Sequence, residues 1–237
     1  MTEILNEKYQ NLVDADIRNY VENNVLPIYD SEKVDGGHKR PHIEYVVNRS
    51  MKFATNFSKT TGTAIDYNMV YVIAACHDTG LTFADRKVHE QASGVYVKGN
   101  KDLLRFFTKE QIDIIAEAVS QHRASLEGEP NTIYGKIVSQ ADRDINLDTI
   151  LMRTYEFRRY KEPFAHNYSL MRKDIIDHLK DKYTTSGYGA KKHWFEDEDY
   201  DNFILEVNKL VTSTIAFDKR FAKANNLNLR FLTTEIA

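Results

Sequence analysis

The sequence predicts an all-α protein, a helical bundle followed by additional C-terminal helices. Two observations predict it. Apolar residues recur at i, i+3 and i+4 through nearly every readable segment, the spacing of one buried helical face. Only four prolines and ten glycines punctuate 237 residues, too few for a linker-rich or disordered chain.

The first strong helix is expected from about Pro41, with Ile43, Val46, Val47, Ser50, Ala54 and Phe57 on one side. Proline suits a first helical position, and Asp35-Gly36-Gly37 before it reads as a turn. Asn56 to Gly62 reads as the connection to the next element. Residues 67 to 77, YNMVYVIAACH, are apolar almost all round. Their valines, isoleucine and tyrosines favour a strand, but the length favours a helix with neighbours on every side. A third helix is expected from Arg86 to about Tyr96. The fourth opens on a capping box, Thr108 and Gln111, and aligns Ile112, Ile115, Ala116, Val119 and His122. After the polar loop SLEGEPN, a fifth helix aligns Tyr134, Ile137, Val138, Ala141 and Ile145. Leu170, Ile175, Ile176 and Leu179 mark a short amphipathic segment, and Phe203 to Phe221 a tail helix. The stretch between them, about 183–200, reads as a loop. The expected organisation is a core at 1–146 that includes an N-terminal helix, with a C-terminal helical extension at 147–237 packed on it.

Charge narrows the partners. With 32 basic and 35 acidic residues the net charge is -3, and the positive groups are small: His38-Lys39-Arg40, Arg158-Arg159 and Lys191-Lys192. A duplex-binding protein concentrates basic charge in a stripe, so nucleic acid is disfavoured as a partner. No stretch approaches the roughly 20 apolar residues of a membrane span, and MTEILNEKYQ lacks a secretion signal's apolar core. Cys76 is the single cysteine, which suits a reducing compartment. A cytoplasmic protein is expected. No motif specifies an oligomeric state.

The chemistry lies in polar residues set on or beside apolar faces. His42 begins the face that runs through Val46, His77 ends the central apolar helix, and Asp78 follows it. His122 shares a face with Val119, Asp142 lies four residues after Val138, and His89 sits on the short third helix. Burying carboxylates together is costly without compensating positive charge, and a bound cation supplies that charge. Four imidazoles and two carboxylates exceed the needs of one four-coordinate ion. They suit one or two divalent ions such as Mn²⁺, Fe²⁺ or Mg²⁺, with a carboxylate bridging.

These residues, in this order, resemble the HD superfamily, whose pattern is a histidine, a His-Asp pair and a distant aspartate on successive helices. The matching stretches are RPHIEYVV (His42), AACHDTG (His77 and Asp78) and SQADRDIN (Asp142). Members with two-metal centres add two histidines, matched by His89 in RKVHEQASG and His122 in AVSQHRA. The resemblance covers about residues 38 to 146. It implies an HD-domain bundle that hydrolyses phosphate esters with metal-activated water, the six residues holding metal and Asp78 bridging. No Gly-Tyr-Pro follows HDTG, so the HD-GYP type is not matched. The implied substrate is a small phosphorylated molecule, nucleotide-like, with Tyr188, His193, Trp194 and Phe195 as candidate stacking surface.

Arginine's planar fork suits phosphate oxygens, which makes Arg86, Arg123 and Arg143 candidate substrate contacts. Lys39, Arg40, Lys52 and His193 join them. Asp85, Glu90 and Asp144 lie near the motif as candidate proton donors. His38 reads as a solvated loop histidine or a substrate contact, and His166 as surface. Two other readings stay open: a mixed-valent di-iron oxygenase, which such HD-fold ligand sets also serve, and a nucleotide-binding regulatory protein with non-catalytic metal.

Overall fold

The structure is a computed structural model that describes residues 4–190 and 193–228. All regular structure among these residues is helical. The chain divides into two compact units, Met1–Arg143 and Asp144–Ala237.

The first unit opens with two short helices, α1 (Glu7–Gln10) and α2 (Ala15–Tyr20), each capped by an aspartate or asparagine side chain. From α2 the chain passes through a π turn (Val21–Val25) and a 3₁₀ turn (Leu26–Asp30). Val21, Val25, Leu26 and Tyr29 are fully buried there. The 22-residue α3 (Arg40–Thr61) carries Pro41 in its first turn. It runs through the stretch expected as a connection. Thr55, Thr60 and Thr61 return their hydroxyls to the carbonyls of Met51, Asn56 and Phe57 within the helix. Gly62, at φ 71°, ends it in a left-handed conformation that glycine adopts without strain.

Helix rather than strand forms over 67–76. The Asp66 side chain accepts from the amides of Asn68 and Met69, which starts α4 (Tyr67–Cys76). Every residue from Met69 to Cys76 is buried, with α3, α6 and α7 packed around them. Fully burying a valine or isoleucine stabilises by about 1.5–3 kcal/mol, so α4 is the packing centre of this unit. The remaining helices are α5 (His89–Gly99), α6 (Lys109–Ser120) and α7 (Ile133–Ala141). The capping box of Thr108 and Gln111 is formed at α6. α5 packs on α6, and α7 lies against α3 and α6. α7 ends before Ile145, which lies in the second unit.

That second unit holds α8 (Leu147–Arg158), α9 (Tyr168–Tyr183), α10 (Glu198–Val211) and α11 (Thr214–Ala224). Leu151, Ile175, Leu179, Val207, Phe217 and Phe221 form its fully buried centre. The expected single tail helix is two. Ser213 accepts from the Ala216 amide and caps a new start, which leaves Ile215 exposed rather than on the buried face. α8 carried no strong apolar signal, because its mean polarity masks Leu147, Ile150 and Leu151. No helix of the described residues is long and apolar enough to cross a membrane.

One buried contact links the N-terminal turns to α4. The Tyr29 hydroxyl donates to the Ala75 carbonyl at 2.7 Å, one of the terminal carbonyls of the helix. Tyr29→Phe is expected to lower unfolding free energy by about 1–2 kcal/mol in urea titration. A change below a few tenths would show that water replaces this bond freely.

Candidate metal centre

The six candidate ligands sit at helix ends, and the ends converge. His42 lies in the first turn of α3, and His89 is the first residue of α5. His77 and Asp142 cap the C-termini of α4 and α7, and His122 follows the C-cap of α6. Helix ends leave backbone groups without intrahelical partners. Here the imidazoles satisfy some of them. Nδ1 of His77 donates to the Ala74 carbonyl and Nδ1 of His122 to the Val119 carbonyl, both at 2.7 Å. His89 makes the same bond to the Arg86 carbonyl, also at 2.7 Å.

A carbonyl can only accept, so each of these bonds places the ring proton on Nδ1. In the neutral ring Nε2 is then a lone pair. His89 Nε2 and His122 Nε2 lie 3.3 Å apart and face Asp78 Oδ1 at 3.1 and 3.5 Å. With both rings neutral, three acceptors face one another here. On the other side, Asp78 Oδ2 lies 3.3 Å from His77 Nε2 and 3.7 Å from His42 Nε2. Asp142 Oδ1 completes that group, 3.1 Å from His42 Nε2 and 3.6 Å from His77 Nε2.

Asp78 is 1% exposed, and neither of its carboxylate oxygens has a hydrogen bond of normal geometry. An uncompensated buried carboxylate costs several kcal/mol. The surroundings act on it accordingly. Burial pushes its pKa up, but the His77, His122 and His89 rings outweigh burial and hold it well below the usual carboxylate range. Burial likewise opposes charge on His77, yet Asp78 and Asp142 raise its pKa well above the ordinary imidazole value. His89 is raised in the same way by Asp78. A cation satisfies all of these groups at once. Two clusters meet the geometry: His42, His77 and Asp78, and Asp78, His89 and His122, each with donor atoms within 4.8 Å of one another. They share Asp78 and suit one or two divalent ions, with nitrogen and oxygen donors.

The other expected site residues lie around these clusters or in the second unit. Arg40 makes a two-pronged pair with Asp30, and Lys39 donates to the Ser31 carbonyl. Arg86 pairs with Asp35, and Arg123 with the Lys87 carbonyl and Glu90. Arg143 is buried at 5% exposure, and Lys52 is partly buried on α3. Glu90 lies 3.5 Å from His89 Nδ1, Asp85 is exposed, and Asp144 pairs with Arg153. His193 belongs to the second unit, with its ring edge against Tyr200.

His38 is the residue whose position the loop reading underestimated. Its ring lies 5.4 Å from that of His42, and its Nε2 is 4.0 Å from Asp78 Oδ2. Nδ1 bonds Asp35 Oδ1 at 2.8 Å. The four-residue spacing from His42 was the available signal. An intervening proline and a 3₁₀ turn, Gly36–His38, rather than a continuous helix face, bring the two rings together.

The position of His89 depends on Gly80. The Gly80 amide donates to Ser93 Oγ at 2.8 Å, and that hydroxyl donates to the His89 carbonyl at 2.9 Å. A Cβ on Gly80 would stand 2.2 Å from the His89 carbonyl oxygen and 2.8 Å from the Ser93 amide. Both are backbone atoms, so α5 would have to move. Gly80→Ala is expected to weaken Mn²⁺ binding about 10- to 100-fold, the usual effect of disturbing groups behind metal ligands, with the far-UV dichroism still helical. Unchanged metal content after dialysis would show that α5 tolerates the displacement.

Residues 42–147 match the family model described as HD domain. No curated protein and no solved structure shows significant similarity to the chain. The matched segment begins at His42, and it includes both His/Asp clusters. This segment, a little under half of the chain, matches the HD domain and carries His/Asp clusters of the kind that serve a metal-dependent hydrolase.

Proposed function

We propose that the protein hydrolyses a small phosphate ester, nucleotide-like in size, and that His42, His77, Asp78, His89, His122 and Asp142 hold two divalent ions with Asp78 between them. The observation that carries this reading is the buried Asp78 carboxylate, whose two oxygens face two separate imidazole groups and have no hydrogen-bond partner. When bound, such a pair of cations neutralises phosphate charge and makes water more acidic.

The residues set the rest. His77, Asp78 and His122 are almost wholly enclosed, whereas His42, His38 and Asp142 have side chains 12%, 19% and 23% exposed. Solvent therefore reaches the centre on the His42 side. His38 stands on that side with Nδ1 on a carboxylate and Nε2 directed inward. Its role in this reading is to give the Nε2 proton to the departing oxygen. Proton donation by a positioned side chain contributes about 10²- to 10⁴-fold.

Phosphate release from a panel of nucleotides and simple esters, measured anaerobically with Mn²⁺ or Mg²⁺ added, tests the reaction class. Turnover without oxygen is the expected result, and a strict requirement for iron and dioxygen would overturn it. Asp78→Ala is expected to lower turnover at least about 10³-fold, removing the shared ligand of both ions, and to reduce metal content while the chain stays helical. His166→Ala, at a side chain 87% exposed, is expected to change neither.

A further inference from the structure

His38 is the inner end of a chain of three side chains that reaches the surface. Asp35 uses both carboxylate oxygens. Oδ1 accepts from His38 Nδ1 at 2.8 Å and from the Gly37 amide at 2.9 Å, and Oδ2 accepts from Arg86 Nη1 at 2.7 Å. Arg86 comes from the segment between the His77-Asp78 turn and α5, while Asp35 and His38 come from the turn before α3. The chain thus ties together the two connections that deliver His89 and His42. Its outer pair is open to solvent, with Arg86 67% and Asp35 47% exposed at the side chain. Exposed ion pairs add little to stability, so this contact has small value as a fold-stabilising bond. Its geometric effect is larger. The Gly37 amide anchors Oδ1 alone, and the guanidinium on Oδ2 fixes the carboxylate at its second oxygen, which sets the direction in which Oδ1 faces the ring. The Asp35 carboxyl lies well below its ordinary range, chiefly through the His38 hydrogen bond, and so stays an acceptor.

We infer that Arg86, acting through Asp35, is a positioning residue that keeps the His38 ring turned with Nε2 toward the metal centre, and so governs the expulsion of poor leaving groups. This rests on the reading of His38 as proton donor. In that step the phosphorus–oxygen bond to the leaving group breaks and its electron pair stays on the departing oxygen, which takes the Nε2 proton. The attacking water forms the new bond to phosphorus, its surplus proton passes to solvent, and solvent reprotonates His38. Arg86 is thereby assigned to orienting the ring instead of contacting substrate phosphate.

Two measurements on the full-length, Mg²⁺-supplemented protein test this. The first is ¹⁵N NMR of the His38 ring, assigned by its loss in His38→Asn and recorded about two pH units above the ordinary imidazole value. The wild type is expected to hold the ring proton on Nδ1. Arg86→Ala and Asp35→Asn are expected to give a mixture of tautomers, and Arg86→Lys to recover part of the preference. An unchanged tautomer in Arg86→Ala overturns the positioning role whatever the activity. The second compares kcat for a nitrophenyl ester, whose leaving group needs no proton, with kcat for an alkyl ester of the same phosphate. His38→Asn is expected to lower the alkyl-to-nitrophenyl ratio about 100-fold, within the range of acid catalysis, and Arg86→Ala about tenfold, both with KM little changed. A ratio unaffected by His38→Asn overturns the proton-donor reading itself. A ratio lowered by His38→Asn but not by Arg86→Ala overturns only the positioning role. A rise in KM alone for both esters in Arg86→Ala returns Arg86 to phosphate binding.

Discussion

A carboxylate buried to 1% exposure among imidazoles whose protons point away from it is the constraint around which the first unit is organised. Asp78 takes no normal hydrogen bond, so its negative charge is balanced only by what enters the space it shares with the rings. Protons can do this in part, which is why the pKa values of His77 and His89 rise. One or two divalent ions held by these residues would do it more fully, because a cation turns mutually repelling lone pairs into ligands. The cost of the arrangement is carried by the dense apolar packing of α4, which holds His77 and Asp78 at its end.

The same hydrogen bonds serve the fold and the site. In His77 and His122, Nδ1 ties off a carbonyl at a helix terminus, and that bond sets which nitrogen faces Asp78. A histidine in mid-helix has no free carbonyl to bind in this way. Placement at helix ends is therefore what makes neutral, correctly oriented donors available. The Gly80, Ser93 and His89 contacts extend this logic, since α5 approaches the His-Asp turn closely only where no Cβ intervenes.

Around this rigid centre the basic residues do other work than composition suggests. Arg40 and Lys39 fasten the turn at Asp30 and Ser31, and Arg123 ties α5 to the segment after α6. Arg40 and Arg86 each pair with a carboxylate, Asp30 and Asp35, at 2.6 and 2.7 Å. The opening on the His42 side is framed by His38 and Asp142 instead.

By itself the sequence determined the all-α class, the central apolar helix, the capping box at Thr108 and the six polar residues set against apolar faces. These follow from periodicity and local chemistry, which act over a few residues. It misjudged where local signals compete. α3 runs through its threonines to Gly62, the tail divides at Ser213, and α8 hides its apolar side in a polar average. Only the tertiary structure decided that the two Asp78 oxygens face different imidazole pairs, that Nδ1 of three histidines is spoken for, and that Asp35, His38 and Arg86 form one chain. Those facts depend on directions in space between segments as much as 51 residues apart, such as Asp35 and Arg86. Spacing along a chain records no such directions, and packing supplies them.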